Sequence, residues 1–287
     1  MWSQVEPKSI DELCSILHNH SSSFIYRGQA HEGWPLKPTI LRDFDEHYPG
    51  ADEATKLMLE FKSVELFRTK AMLHLPILEA SILNYVVGVL VLMQHYGGSA
   101  RLLDWSASPW VAAYFASIDQ LGNDGAVYAI NMEDLQRVSP ASKLCSNTHM
   151  HNGKPGRLLD VMLSELWYRM SLDMPDNSIS AIKGRVDIPR MNAQQSVFTI
   201  AGRVGVQHDE LCAILPKSDD KLKIIISSKL KKVLLARLEK MNINSMTLFP
   251  DITGIAKRTK DDLRYGRLMN TNDFSDSIDE FLAHWPT

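Results

Sequence analysis

GGSARLLDWSASPWVAAYFASID, residues 97–119, changes its repeat part-way along, and the change decides the fold class. SARLLDW, residues 99–105, reads as a buried strand. From Ser108 the chain reads as a helix, with Ser108 as N-cap, Pro109 at the first helical position, and Val111, Phe115 and Ile118 on one face. A core strand running directly into a core helix belongs to a mixed α and β architecture. If residues 104–108 are extended, Asp104, Ser106 and Ser108 project to one side and Trp105 to the other. A carboxylate and two hydroxyls then stand beside a helix N-terminus, an edge suited to an anion or a ribose. The plainer reading is that Asp104 and Ser108 only cap the helix, and the sequence leaves both open.

Upstream, FIYRGQA, residues 24–30, begins as a second core strand and continues into Arg27 and Gly28. An unpaired guanidinium is costly to bury, so Arg27 needs a partner. Either Asp104 supplies a structural bridge, or the planar guanidinium holds a phosphate at two points; a pyrophosphate spanning Arg27 and the next helix N-terminus is compatible with both. Gly28 lacks the Cβ that would keep a ligand or another backbone at a distance. Downstream, RMNAQQSVFTIAG, residues 190–202, reads as a strand with Gln194, Ser196 and Phe198 on one face and Gln195 and Val197 on the other. Gln194 is either a solvated edge residue or the third wall of a site with Arg27 and Ser106.

The remaining pattern fills in one α+β domain over residues 1–287. Ser9 and Glu12 have the spacing of a capping box for a first helix, and residues 51–72 repeat at helical period. Residues 80–96 are apolar nearly all round and end at Gly97-Gly98, which predicts a buried, glycine-capped helix. GAVYAINM, residues 125–132, and KIIIS, residues 223–227, are further strands. Residues 139–157 read as a long loop; residues 158–170, 228–242 and 277–285 read as helices. No repeat or low-complexity linker divides the chain.

At 45% hydrophobic and 23% charged residues over 287 positions, the composition is that of an ordinary globular protein, and a formal charge of −3 argues against a polyanion as obligatory partner. The three cysteines, Cys14, Cys145 and Cys212, are far apart and odd in number, which predicts a reducing, cytoplasmic setting rather than a disulfide framework. No apolar run approaches the roughly 18 residues of a membrane span, and the first residues lack the basic-then-apolar order of a signal peptide. His149 and His151 have no third ligand at supporting spacing, so no metal is expected.

YRGQ at 26–29, QHYGGSARLLDWSASPWVAAYFA at 94–116, RMNAQQSVFT at 190–199 and TLFPDITGIA at 247–256 together resemble the FRG domain, a family named for its Phe/Tyr-Arg-Gly motif. The resemblance runs from about residue 20 to residue 265, and the second block is its strongest part. The family is known mainly from bacterial and phage proteins, which implies a setting in bacterial anti-phage defence or toxin systems. A more distant likeness is to ADP-ribosyltransferases of the Arg-Ser-Glu class. It implies a single domain with a central split sheet, surrounding helices and NAD as co-substrate. By that likeness Arg27 and Gly28 hold the NAD phosphates, Ser106 and Ser108 line the nicotinamide ribose, and a catalytic glutamate falls near residues 190–198. This sequence has Gln194 and Gln195 there instead, with Asp104 as the nearby carboxylate that can stand in. Two functions follow. One is an enzyme acting at the N-glycosidic bond of NAD through Gln194, Asp104 and Ser106, with a protein or nucleic-acid acceptor unspecified. The other is a catalytically silent module whose cleft holds a nucleotide, a nucleic acid or a partner protein.

Overall fold

Strand pairing joins Tyr26 to Ser106 at the weak central seam of a seven-stranded sheet, with Arg27 and Asp104 close to that pair. The structure is a computed structural model that describes residues 2–19, 23–75, 81–138, 178–183, 188–212, 215 and 221–266. Its strands are β1 (Ser3–Val5), β2 (Phe24–Gln29), β3 (Leu102–Ser106), β4 (Gly125–Asn131), β5 (Ile179–Lys183), β6 (Ser196–Ala201) and β7 (Lys221–Ile226). The longer helices are α1 (Ile10–His18), α2 (Thr39–His47), α3 (Glu53–Ala71), α4 (Val86–His95), α5 (Pro109–Ser117), α9 (Ser228–Lys240) and α11 (Ile252–Arg264). Short helices α6 (Met132–Val138), α7 (Pro189–Ala193), α8 (His208–Cys212) and α10 (Ser245–Leu248) lie between them. No described helix is long and apolar enough to cross a membrane.

The strands lie in the order β1-β7-β4-β2-β3-β6-β5, parallel for β1 with β7 and antiparallel elsewhere. β2 is zipped to β4 from Phe24 against Asn131 to Gln29 against Ala126, and β3 to β6 from Leu102 against Ile200 to Ser106 against Ser196. Between β2 and β3 a single pair, Tyr26 with Ser106, joins the two halves. The sheet is therefore split at its centre, and carbonyl groups along the parted edges are open to other partners.

Each half has its own helical cover. α4 and α3 pack over β3 and β6 through Leu90, Val91, Leu102, Phe198 and Ile200. α5, α9 and α1 cover β2, β4 and β7 through Tyr26, Ala112, Ala116, Val127, Ile224 and Leu234. A third cluster, including Ile25, Trp105, Tyr128 and Ile225, fills the opposite face across the seam. α5 sits unusually close to the sheet: a Cβ on Gly28 would lie 1.9 Å from the Ala112 carbonyl oxygen, and one on Gly125 2.2 Å from that of Ala116. The helix supplies alanines and the strands supply glycines, so backbone meets backbone.

The N-caps hold, but the Ser9–Glu12 box is not reciprocal, since the Glu12 carboxylate accepts from the Lys8 N–H instead of that of Ser9. Ser9 accepts from the Glu12 N–H, and Ser108 accepts from the Val111 N–H with Pro109 at the first turn. α4 ends as the two glycines require: Gly97 adopts φ +88°, its N–H bonds the Gln94 carbonyl, and the Gly98 N–H bonds that of Met93. The helix expected from residue 80 opens instead as a 3-10 turn at Ser81–Asn84 before α4 begins. RMNAQQSVF is not one strand: α7 occupies Pro189–Ala193, Gln194 caps it, and Gln195 turns the chain at φ +49° into β6. Pro189 favours that helical start, and its lost N–H costs nothing there. β1, β5 and α2 went unread because they are short or, for α2, begin at Pro38 with no side-chain cap. The predicted loop 139–157 and the predicted helices at 158–170 and 277–285 lie outside the described residues, as do His149 and His151.

A buried ion pair ties α3 to the second half-sheet. Arg101 and Glu60 are both buried, Arg101 Nε donating to both Glu60 carboxylate oxygens at 2.9 Å and Nη1 to the Gly202 carbonyl at 3.2 Å. The guanidinium is bound on both of its sides, and its Nη2 also pairs with Glu60.

Candidate functional site

At the seam the parted strands open into a cleft of about 690 Å³ lined by residues of β2, β3, α5, α7 and the turn into β6. Strand alternation sends Arg27 and Ser106 to opposite faces, since Tyr26 rather than Arg27 is the partner of Ser106. Both nevertheless line the cleft. Arg27 Nη1 donates to the Asp104 backbone carbonyl at 2.7 Å. Arg27, Gly28, Asp104, Ser106, Gln194 and Ser196 all border this space.

Arg27 is only partly satisfied. Its Nε is buried with no hydrogen-bond partner, and no ion pair joins it to Asp104 among the described residues. Burial lowers its pKa from the ordinary arginine value, Asp104 pulls it back up, and Arg42 lowers it again. The structural bridge to the Asp104 carboxylate is thus replaced by one bond to that residue's carbonyl, while the carboxylate itself is exposed to the cleft.

The other expected site residues divide. Ser106 Oγ donates to the Gln194 carbonyl at 2.7 Å and accepts from the Ser108 N–H at 3.0 Å, which stitches the end of β3 to the turn before β6. It retains a lone pair but no free proton for a ligand. Ser108 serves as the α5 N-cap and is buried outside the cleft lining. Gly28 borders the cleft, yet the space its missing Cβ leaves is filled by Ala112, so close approach of α5 explains this glycine. Gln194 stands at the cleft edge with its Nε2 donating to the Leu248 carbonyl at 3.0 Å, while Gln195 is exposed beyond it.

Sequence reading missed the other cations. Arg190 lines the cleft from α7, its guanidinium 4.6 Å from the centre of the Phe249 ring. Burial lowers its pKa, and Asp104 and then Asp251 oppose that fall. Arg42, exposed on α2, and Lys37, paired with Asp45, complete the rim. Of the two carboxylates in the lining, Asp119 is paired with Arg264 at 2.8 Å, which leaves Asp104 facing a surplus of positive charge. Arg190 stood four residues before Gln194 in a block already singled out; only the α7 turn, invisible to a strand reading, aims it inward.

Behind the cleft the Trp105 indole N–H donates to Thr199 Oγ1 at 2.8 Å, and Thr199 Oγ1 contacts His208 Nδ1 at 2.8 Å. Trp105 is only a donor, so Thr199 Oγ1 accepts from it, and the buried His208 ring sits at the end of this chain of contacts. Burial above all, then Arg27, push the His208 pKa down to about 3, against a backbone hydrogen bond to Arg101.

Residues 22–125 match the FRG domain family, a span that runs from the start of β2 to the first residue of β4 and carries Arg27, Asp104, Ser106 and Ser108. Over that segment the chain is similar to the FRG domain. The blocks at 190–199 and 247–256, which supply Arg190 and Gln194, lie beyond the matched segment. No curated protein and no solved structure matched the chain.

Proposed function

We propose that the FRG-like domain of this protein forms a nucleotide cleft that holds an NAD-like dinucleotide by its pyrophosphate and acts at the N-glycosidic bond in the manner of an ADP-ribosyltransferase. The observation that carries this reading is Arg27: a cation in a cleft, without a carboxylate partner and with a buried, unpartnered Nε. Such a group is stabilised by an anion from solvent, and a guanidinium is shaped to take a phosphate at two points. Arg42 and Arg190 add charge to either side. The adjacency of the Arg27 strand, the Ser106 strand and the strand after Gln194 agrees with the Arg-Ser-Glu likeness.

In this reading the bond between ribose C1′ and the nicotinamide nitrogen breaks. The electron pair leaves with nicotinamide, and the cationic sugar is stabilised by the Asp104 carboxylate until water or an acceptor nucleophile adds at C1′ and gives up its proton. Gln194 can hydrogen-bond a ribose hydroxyl but offers no charge. A second reading, a silent nucleotide-binding module, is favoured by that amide and by its bond to Leu248. Either role suits a protein of bacterial conflict with phage.

The test is NAD binding by calorimetry together with nicotinamide release. Wild type is expected to bind NAD and Arg27→Ala to lose binding. Asp104→Asn should abolish whatever slow release the wild type has. Gln194→Glu should raise release on the order of a hundredfold, the effect of one well-placed charge worth about 3 kcal/mol in the transition state. Binding with no release in any variant selects the silent module; no binding by wild type overturns both readings.

A further inference from the structure

Trp34 lines the cleft on the Arg27 side and keeps 45% of its surface exposed, although its loop is firmly anchored. The Glu32 N–H bonds the Asp124 carbonyl at 2.8 Å, and Lys223 Nζ donates to the Glu32 carbonyl at 2.9 Å. Gln29 Nε2 donates to the Pro35 carbonyl at 3.1 Å, and the Trp34 N–H to that of His31 at 3.2 Å. A loop held at these points has the means to fold its one large aromatic ring inward, and it does not. Instead His31 stacks against the ring, centroids 5.9 Å apart and planes at 22°. The His31 imidazole is itself fixed, since its Nδ1 accepts from the Gly33 N–H at 3.0 Å.

A flat ring held open in this way favours either a cation or another planar ring. The neighbouring charges decide between them. Arg27 and Arg42, neither held by a carboxylate among the described residues, share the lining, so a cationic ligand is repelled while a planar ring attached to an anion is drawn in. We propose that Trp34, backed by His31, is the stacking platform for the aromatic base of a nucleoside diphosphate whose phosphates lie on Arg27. The inference rests on the phosphate reading of Arg27 and adds to it the class of group at the other end of the ligand. It makes Trp34 a specificity residue that separates a nucleotide from a bare anion, because a base stacked on indole contributes to binding independently of the phosphate contacts.

The experiment compares ADP with inorganic pyrophosphate by calorimetry on wild type, Trp34→Ala and Trp34→Phe, with a thermal melt of each to verify folding. Wild type should bind ADP more tightly than pyrophosphate. Trp34→Ala should weaken ADP by about ten- to a hundredfold and leave pyrophosphate unchanged, and Trp34→Phe should recover most of the loss. If Trp34→Ala binds ADP like wild type, or wild type binds ADP no better than pyrophosphate, the platform is overturned while the Arg27 reading stands. Binding of neither ligand by wild type overturns both. Tighter binding of a 5′-phosphorylated oligonucleotide than of ADP overturns the assignment to a free nucleotide.

Discussion

Two arginines at the edges of the central strands have opposite surroundings. Arg101, at the start of β3, is saturated: Glu60 takes Nε and Nη2, backbone carbonyls take Nη1, and the whole side chain is 1% exposed. Arg27, on β2, has one bond to a carbonyl, no carboxylate and an empty-handed Nε. Both carry a desolvated charge, and only one has it compensated inside the protein. The contrast separates a cation that organises the fold from a cation that is completed by something bound, a distinction that residue type and strand position cannot supply.

The largest effect belongs to the saturated arginine. Glu60→Ala leaves Arg101 charged, buried and unpaired, and should cost about 3–5 kcal/mol of unfolding free energy in urea titration. Replacing both partners, Glu60→Leu with Arg101→Met, should recover most of that loss, because no orphan charge remains. A single-variant cost under about 1 kcal/mol would put Arg101 in the same class as Arg27 and dissolve the comparison.

His208 lies within the field of both arginines and reads them through pH. Its folded pKa of about 3 is depressed from the ordinary histidine value of 6.5. The unfolded chain therefore binds the proton first, and stability that is complete above pH 6.5 drains away as pH falls toward 3. At about 1.4 kcal/mol per pH unit, some 2 kcal/mol should be gone by pH 5. His208→Gln, compared with wild type at pH 7 and pH 5, should lose that acid sensitivity. Arg27→Met should leave the loss at pH 5 nearly unchanged and reduce it only as pH approaches 3, since Arg27 is the strongest charge acting against His208 protonation. An equal pH 7 to pH 5 loss in wild type and His208→Gln would assign the acid sensitivity to other groups.

These contrasts also mark what the sequence could carry. Local signals were legible: Ser108 with Pro109 gave α5, Gly97-Gly98 gave the end of α4, and alternating or apolar runs gave β2, β3, β4, β6 and β7. They rest on neighbours within a few residues. The polar constellation was legible in part, since Arg27, Asp104, Ser106 and Gln194 do border one cleft. Their individual bonds were not. Arg27 turns to a carbonyl because β2 and β3 part after one pair, and Ser106 binds Gln194 across 88 residues of chain. Arg190 and Trp34 enter the cleft through a short helix and a pinned loop whose shapes depend on contacts far along the sequence. Glu60 as the partner of Arg101 is the same case: an acidic residue in an ordinary helical repeat, identifiable only once α3 is laid against β3.

The smallest expected effect is the sharpest test of the comparison. Arg27→Met removes one charged hydrogen bond, to Asp104, and also removes the cost of holding an incompletely paired guanidinium out of water. The two changes oppose each other, so the unfolding free energy without ligand should stay within about 1 kcal/mol of wild type. Arg101→Met, which strands the Glu60 carboxylate, should lose several times that. Pyrophosphate reverses the ranking of information. At a hundredfold excess over its dissociation constant it should stabilise wild type by about 2.7 kcal/mol and Arg27→Met by little or nothing. Arg27→Lys should fall between, since it keeps the charge but not the planar fork. A loss of 3 kcal/mol or more in Arg27→Met, the same with and without pyrophosphate, would mean that Arg27 is as structural as Arg101 and that the cleft has lost its strongest claim to an anionic ligand.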